Sequence, residues 1–291
     1  MKFQNIHAHF DDFEFTACGT FELARRQGKR RRFSSQIVVS TDGAGGHHIH
    51  PRAETAIIRL EEQRASAEIG MYELQTLKYP DGSTPREGYM EIGAPLLAAL
   101  WKTIRDYTPD YLFCPPIPSD SLSGVHVDHL TIADAIRRVA YLINVPQAFT
   151  QEYPDVVHSM DFVKKPVILN VYDGYMLGDN SFDLAININD AFEAIAEMSW
   201  CHQSQIMEWL PWVGGEEVPK NFANWKEILR NRFLKRNKDA GVDSENLYEF
   251  YTLTGWGNCP TVRQLLKDLP NVDQEVSNML QLKRKIALLR D

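Results

Sequence analysis

The chain has 291 residues, of which 44% are hydrophobic and 24% are charged. These fractions are typical of a globular protein, and they exclude a disordered chain, a collagen and a disulfide-stapled mini-protein. The net charge of −8 argues against nucleic acid or an anionic membrane surface as the main partner.

Strand-like and helix-like stretches alternate over most of the chain. Strands are predicted at residues 3–8, 36–40, 72–77, 111–114 and 167–171, and helices at residues 13–28, 52–69, 92–107, 128–143 and 190–210. This βαβα alternation predicts an α/β fold with a doubly wound, mostly parallel sheet and helices on both faces. Residues 1–210 are expected to form the α/β domain, and residues 211–291 a C-terminal extension packed on its core. A basic stretch at residues 230–238 is interpreted as a solvated helix face, with an anion site as the alternative.

The four cysteines form no CxxC pair, so a thiolate zinc knuckle or a thioredoxin-type site is not expected. Widely spaced single cysteines are typical of a reducing compartment. The N-terminus lacks the apolar run of a signal peptide, and no stretch of about 18 apolar residues could span a membrane. We therefore expect a cytoplasmic protein without a membrane span.

Two clusters of histidine and aspartate stand just beyond predicted strands. They comprise His9, Asp11 and Asp12 after the first strand, and His126, Asp128 and His129 between the strand at 111–114 and the next helix. The carboxyl ends of parallel strands share one edge of a doubly wound sheet, and ligands bind along that edge. We therefore expect the two clusters to meet, although each cluster alone fits polar loop residues in which aspartate caps helix amides.

Such a meeting would bring together the parts of a catalytic metal site. Two imidazoles and one carboxylate bind Zn²⁺ and leave a fourth position open, where the ion activates water near neutral pH. A second, unligated carboxylate can act as general base. A further histidine can face a developing oxyanion or protonate a leaving group. Adjacent Asp11 and Asp12 suit a division between these tasks, and Asp128 could orient either imidazole of its own cluster.

The segment AHFDDFEFTACGTFELA resembles the AHPDDxE…GGT signature of the LmbE/PIG-L zinc N-deacetylases, and HVDH resembles their HPDH motif. Weaker similarities lie in the glycine-rich loop STDGAGG, in an R-x-x-E helix with Arg59 and Glu62, in the YPDG turn and in HQSQ at residues 202–205. Phe10 and Val127 stand where the family has prolines, and neither position is a ligand.

The resemblance implies a Rossmann-like fold and a role for each motif residue. It implies that His9, Asp12 and His129 are the zinc ligands and that Asp11 is the general base. It also implies that His126, supported by Asp128, stabilises the oxyanion or acts as an acid. Arg59 and Asp81 would contact the substrate. Fe²⁺ fits the same ligands.

The predicted function is metal-dependent removal of an N-acetyl group from a small-molecule amino sugar of the N-acetylglucosamine type. The alternatives are an amidase that acts on a thiol conjugate or another small amide, and a non-catalytic carbohydrate-binding module that retains the metal site. The sequence leaves a homo-oligomer open. His47, His48 and His50 are expected to lie in a flexible surface loop, with a second metal site or a substrate contact as alternatives.

Overall fold

The computed structural model describes residues 1–28, 32–155, 162–176 and 178–290. In these residues seven strands form one sheet in the order β3-β2-β1-β4-β5-β7-β6. The strands are β1 (Lys2–His7), β2 (Ser34–Val39), β3 (Glu73–Thr76), β4 (Tyr111–Cys114), β5 (Val167–Val171), β6 (Leu184–Asn187) and β7 (Tyr248–Leu253). The first five strands pair in parallel, whereas β7 pairs antiparallel with both β5 and β6.

Helices cover both faces of the sheet. They are α1 (Asp12–Thr16), α2 (Cys18–Gln27), α3 (Arg52–Gly70), α4 (Ala94–Tyr107), α5 (Val127–Ala140), α6 (Phe192–Trp200), α7 (Leu210–Gly214), α8 (Phe222–Asp239), α9 (Val262–Asp268) and α10 (Met279–Arg290), with a π-helical segment at Ser204–Trp209. None of the helices in these residues is both long and apolar enough to cross a membrane.

The alternation of side chains along each strand builds a core on each face. In β1, Phe3 is buried against residues of α2, α6 and α8, whereas Ile6 is buried against residues of α4 and α5. This pattern follows from the two-residue period of a strand with both faces covered. The predicted α/β architecture is confirmed, and the predicted bounds of 111–114 and 167–171 agree with β4 and β5.

Two predicted helices are interrupted in the structure. The helix expected over 13–28 is divided at Ala17, whose backbone leaves the helical region with φ −144°. The helix expected over 190–210 ends at Trp200, and a π-helical segment follows from Ser204. The first interruption lies directly behind the aspartates of the first cluster.

Strands β6 and β7 lie outside the strands predicted from the sequence. Strand β7 comes from the C-terminal part of the chain and lies inside the sheet, between β5 and β6. Residues 211–291 therefore contribute a strand to the sheet in addition to packing on it. The boundary at residue 210 stays a prediction.

Candidate active site

The two polar clusters meet at the carboxyl edge of the sheet. His9 follows β1 and His129 lies in the first turn of α5, which follows neighbouring β4. The strand order reverses direction between β1 and β4, and this is where doubly wound sheets form their binding crevice. The sequence prediction that the clusters meet therefore agrees with the geometry.

Three side-chain atoms face one another at the centre of the cluster. His9 Nδ1 lies 3.3 Å from Asp12 Oδ2, His129 Nε2 lies 3.4 Å from the same oxygen, and the two nitrogens are 3.2 Å apart. A tetrahedral Zn²⁺ with bonds of about 2.0–2.2 Å spaces its ligand atoms about 3.3–3.6 Å apart. The spacing of these three atoms matches one small divalent ion.

The outer nitrogen of each histidine contacts a second carboxylate. His9 Nε2 lies 3.0 Å from Asp128 Oδ2, and His129 Nδ1 lies 2.7 Å from Asp173 Oδ2. A carboxylate only accepts hydrogen bonds, so each of these ring nitrogens carries the proton in the neutral imidazole. The inner nitrogens then hold lone pairs that face each other and the oxygen of Asp12. Three acceptors at this distance repel one another unless protons or a cation lie between them, and a single metal ion fits this set of ligand atoms.

The electrostatics of the cluster agree with this reading. Burial lowers the pKa of each histidine, but the neighbouring carboxylates, Asp12 foremost, together raise the pKa of His9 to about 9 and that of His129 to about 10. Without an ion, both rings therefore bind a proton at neutral pH. Burial raises the pKa of Asp12, but the neighbouring His7, His129 and His9 hold it well below its usual range. The site attracts positive charge strongly.

Asp11 lies beside this trio and is not part of it. Its backbone has a left-handed φ of 84°, and its backbone N–H donates to Gln63 Oε1 at 3.0 Å. Its Oδ1 accepts from Arg59 Nη2 at 3.2 Å. Burial raises the pKa of Asp11 to about 6 although Arg59 opposes the shift. The unusual backbone points two adjacent carboxylates in different directions, as the sequence analysis expected.

His126 is the N-cap of α5, and its Nδ1 accepts from the backbone N–H of Asp128 at 3.2 Å. Its ring centroid lies 4.5 Å from that of His9. Burial, together with the neighbouring His9 and His129, lowers the pKa of His126 to about 4. The neutral ring therefore carries its proton on Nε2, where it can donate a hydrogen bond.

The remaining residues of the sequence prediction lie in different settings. Asp128 contacts His126 through its backbone, whereas its carboxylate contacts His9. Arg59 is 2% exposed and donates to the Phe10 carbonyl at 2.6 Å as well as to Asp11, so it holds the loop behind the aspartates. Asp81 lies exposed in its turn, and its carboxylate accepts from Ser83. Their roles toward substrate stay predictions.

Two residues extend the site beyond the sequence prediction. His7 is the last residue of β1, and its Nδ1 lies 2.6 Å from Asp12 Oδ2. Asp173 was missed entirely. It stands two residues beyond β5, the next strand along the same edge, so the rule that revealed the first two clusters could also have pointed to it.

A cavity of about 660 Å³ opens beside the cluster. Asp11, Asp12 and His129 line its inner end, and residues of α8 line another part of its wall, among them Arg232 and Arg236. The expectation of a solvated basic face holds for Arg230, Lys235 and Lys238, which are exposed, whereas Arg232 and Arg236 are only partly exposed and line the cavity.

A second group of potential ligands lies in the loop after β2. Ligand atoms of His47, His50 and Glu208 lie within 4.8 Å of one another. However, His47 Nδ1 accepts from the backbone N–H groups of Ile49 and His50, and its Nε2 lies 2.8 Å from Glu208 Oε2. The imidazole proton of His47 therefore points at Glu208, so this group is satisfied without an ion.

The doubly wound sheet and the His/Asp trio at its switch point define an α/β protein with a candidate metal centre. Residues 4–140, slightly less than half of the chain, match the model of the PIG-L family, described as GlcNAc-PI de-N-acetylase. No curated protein matches the chain by sequence.

Solved structures with the same fold include deacetylases. An N,N'-diacetylchitobiose deacetylase from Pyrococcus horikoshii is 19% identical, with 87% of this chain and 83% of that chain covered and a TM-score of 0.63. GalB, the 4-carboxy-2-hydroxymuconate hydratase from Pseudomonas putida KT2440, is 16% identical, with 90% and 98% covered and a TM-score of 0.60. A deacetylase of the teicoplanin biosynthetic pathway, a triple mutant, is 12% identical, with 88% and 97% covered and a TM-score of 0.52. At these identities the likeness concerns the fold.

Proposed function

We propose that the chain is a metal-dependent hydrolase that removes an N-acetyl group from an amino sugar of the N-acetylglucosamine type. The observation that carries the proposal is the trio of facing acceptor atoms on His9, Asp12 and His129, with the unligated carboxylate of Asp11 beside it. The match to the PIG-L family over residues 4–140 supports the reaction class. The N,N'-diacetylchitobiose deacetylase among the structures of the same fold supports the substrate class.

His9, Asp12 and His129 would hold the ion, and their nitrogen and oxygen atoms suit Zn²⁺, with Fe²⁺ as the other candidate. A bound divalent ion supplies Lewis acidity, which activates water and polarises the amide carbonyl. Asp128 and Asp173 orient the two imidazoles through their outer nitrogens.

The other steps belong to side chains of the chain itself. Asp11 removes a proton from the attacking water, since its raised pKa of about 6 leaves it ionised at neutral pH yet basic enough to accept a proton. His126 donates a hydrogen bond from Nε2 to the carbonyl oxygen as negative charge develops there. Asp11 then returns the proton to the amine nitrogen as the C–N bond breaks, which releases acetate and the free amine. Arg59 holds Asp11 in position.

Metal analysis combined with an assay of acetate release tests the proposal. The purified protein should contain about one Zn²⁺ or Fe²⁺ per chain and should release acetate from N-acetylglucosamine or N,N'-diacetylchitobiose. Chelation should abolish the release, and added ion should restore it. His9→Ala should lose both the ion and the activity, whereas His48→Ala, which changes an exposed histidine, should retain both.

The same assay separates the alternatives. Hydrolysis of a thiol conjugate or of longer acyl amides without acetate release would replace the proposed substrate with another amide. A protein that binds the ion and a sugar but hydrolyses none of these compounds would be a binding module, and the proposed function would be wrong.

A further inference from the structure

Two arginines of helix α8 line the cavity that lies beside Asp12 and His129. Arg232 and Arg236 are one helical turn apart, and both line the cavity wall. Like charges at this spacing repel each other and destabilise a helix. Their burial beside a cavity is therefore costly unless negative charge compensates them.

The carboxylates that line the cavity already have partners on the protein. The pairs are Asp11 with Arg59, Asp12 with His9 and His129, Asp173 with His129, Asp179 with Ser119 and Asp120, Glu216 with Arg232, and Asp239 with Lys235. Arg232 is therefore neutralised by Glu216, and no lining carboxylate is left over for Arg236.

Arg236 lacks a counter-ion among the residues that the structure describes. Its Nη2 donates to the Phe15 carbonyl, its Nη1 has no hydrogen-bond partner, and no carboxylate lies within 4.0 Å of it in those residues. Its guanidinium carbon lies 5.3 Å from the centroid of the Tyr172 ring and 4.8 Å from that of Phe233. These rings fix the plane of the guanidinium. Burial lowers the pKa of Arg236, although the carboxylate of Glu249 opposes the shift without forming an ion pair. The lowered pKa reflects the cost of burying a charge without a direct counter-ion.

We propose that Arg236, with Arg232 beside it, forms an anion subsite of this cavity, and that the substrate carries a carboxylate or phosphate group that binds there. A planar guanidinium offers two parallel N–H groups that suit both oxyanions. The identity of the reacting amide rests on the proposed function, but the anion subsite does not. The cavity volume of about 660 Å³ lies within the usual range for small-molecule sites and accommodates a sugar with one charged substituent.

Binding of deacetylated products tests the subsite without catalysis. We would measure the affinity of the protein as purified for glucosamine, glucosamine 6-phosphate and muramic acid by titration calorimetry. At least one anionic compound should bind about tenfold or more tightly than glucosamine, as expected for a charge-assisted bond. The phosphate and the carboxylate compounds distinguish the two sources of the anion. Equal affinity for all three compounds, or no binding of any of them, would overturn the subsite.

Two substitutions on the same helix assign the preference to Arg236. Arg236→Gln should abolish the preference for the anionic compound. Arg236→Lys should retain part of this preference. The lysine variant also keeps the test usable if the glutamine variant does not fold. Arg230→Gln is the matched control, because Arg230 is exposed and donates to the Glu245 carbonyl, and it should leave the preference unchanged. If the preference survives both changes at Arg236, the subsite is wrong.

Acetate release from the matched N-acetyl compounds separates this inference from the proposed function. If N-acetylglucosamine is hydrolysed as efficiently as both of its anionic analogues, the subsite is wrong and the deacetylase stands. If none of the three is hydrolysed while the anionic product still binds tightly through Arg236, the subsite stands and the deacetylase is wrong.

Discussion

Hydrogen bonds to Asp128 and Asp173 determine which ring nitrogen of His9 and of His129 carries the proton. The two carboxylates accept from His9 Nε2 and His129 Nδ1, so the lone pairs of both rings point at Asp12. Such partners fix the ring orientation and raise the basicity of the ligand. The arrangement predicts that metal affinity depends on residues that do not touch the ion.

Asp173→Asn should weaken metal binding about 10- to 100-fold. The amide oxygen still accepts from His129 Nδ1, but it no longer carries the charge that makes the imidazole a better ligand. Competition with a chelator of known affinity measures the change. Asp179→Asn is the control, because Asp179 lines the same cavity and holds Ser119. Equal metal affinity in the Asp173 variant and the wild type would contradict the prediction.

Asp11→Asn should reduce kcat about 10²- to 10⁴-fold while the metal content stays unchanged. Asparagine has nearly the same size and cannot remove a proton, and Asp11 is not one of the three facing acceptors. Elemental analysis and acetate release on the same preparation check both parts. Loss of the metal in this variant would instead make Asp11 a ligand.

His202 gives a pH dependence of stability that is separate from the metal site. Its Nε2 lies 3.4 Å from Glu14 Oε1. Burial lowers the pKa of His202, but the carboxylates of Glu14 and, less strongly, of Asp11 and Glu62 together raise it above its usual value. The stabilisation is complete below about pH 6.5, where the unfolded histidine is also protonated. It is lost as the pH rises through the higher pKa of the folded state.

The free energy of unfolding should therefore fall in the wild type as the pH rises above about 6.5. In His202→Gln the fall should be smaller. Urea titrations at several pH values measure both curves. Parallel curves for the two proteins would remove His202 as the cause.

The sequence was sufficient to place His9, Asp12 and His129 together because each stands just beyond a strand, and strand ends of a parallel sheet share an edge. It did not reveal Asp173, although Asp173 also follows a predicted strand, because a single aspartate without a histidine beside it resembles an ordinary loop residue. The sequence also did not show that Arg232 and Arg236 are partly buried. Periodicity places both on a charged helix face, but only the packing of α8 beside the cavity encloses that face.

Strand β7 is an element that the sequence pattern did not predict. The second residue of its sequence YEFYTL is the buried Glu249. This charged residue interrupts the apolar pattern expected for a central strand. Glu249 is buried among hydrogen-bond donors. Its carboxylate accepts from the backbone N–H groups of Gly19 and Thr20 in the first turn of α2, and from the hydroxyls of Thr20 and Tyr251. Glu249 thus caps a helix that lies far away in the sequence.

Glu249→Gln should destabilise the protein by about 2–3 kcal/mol, since hydrogen bonds to a charged group are lost and the amide N–H₂ faces backbone donors. Chemical denaturation measures the change. Glu245→Gln, at an exposed position shortly before β7, should change the stability by less than about 0.5 kcal/mol. Equal stability of the two variants would show that the cap contributes little.

At the scale of the whole molecule, the N-terminal and C-terminal parts share one sheet. In the described residues β6 pairs with β7 and forms an isolated bridge between Ile186 and Val272. The hydrophobic core on the α2 side contains Leu229 and Phe233 of α8, Leu265 of α9 and Leu282 of α10. All of these partners lie beyond residue 210, so a division at that point crosses the core.

A chain shortened to residues 1–210 should therefore fail to fold. It would expose the antiparallel edge of β5, leave β6 without its partner strand and remove the buried side chains of α8 from the core. Thermal unfolding followed by circular dichroism should show one cooperative transition for the full chain and none for the shortened one. Adding residues 211–291 as a separate chain should restore the transition in part, because the missing strand and helices are then supplied. If residues 1–210 unfold cooperatively and bind metal alone, the predicted domain boundary is correct and β7 is dispensable for the site.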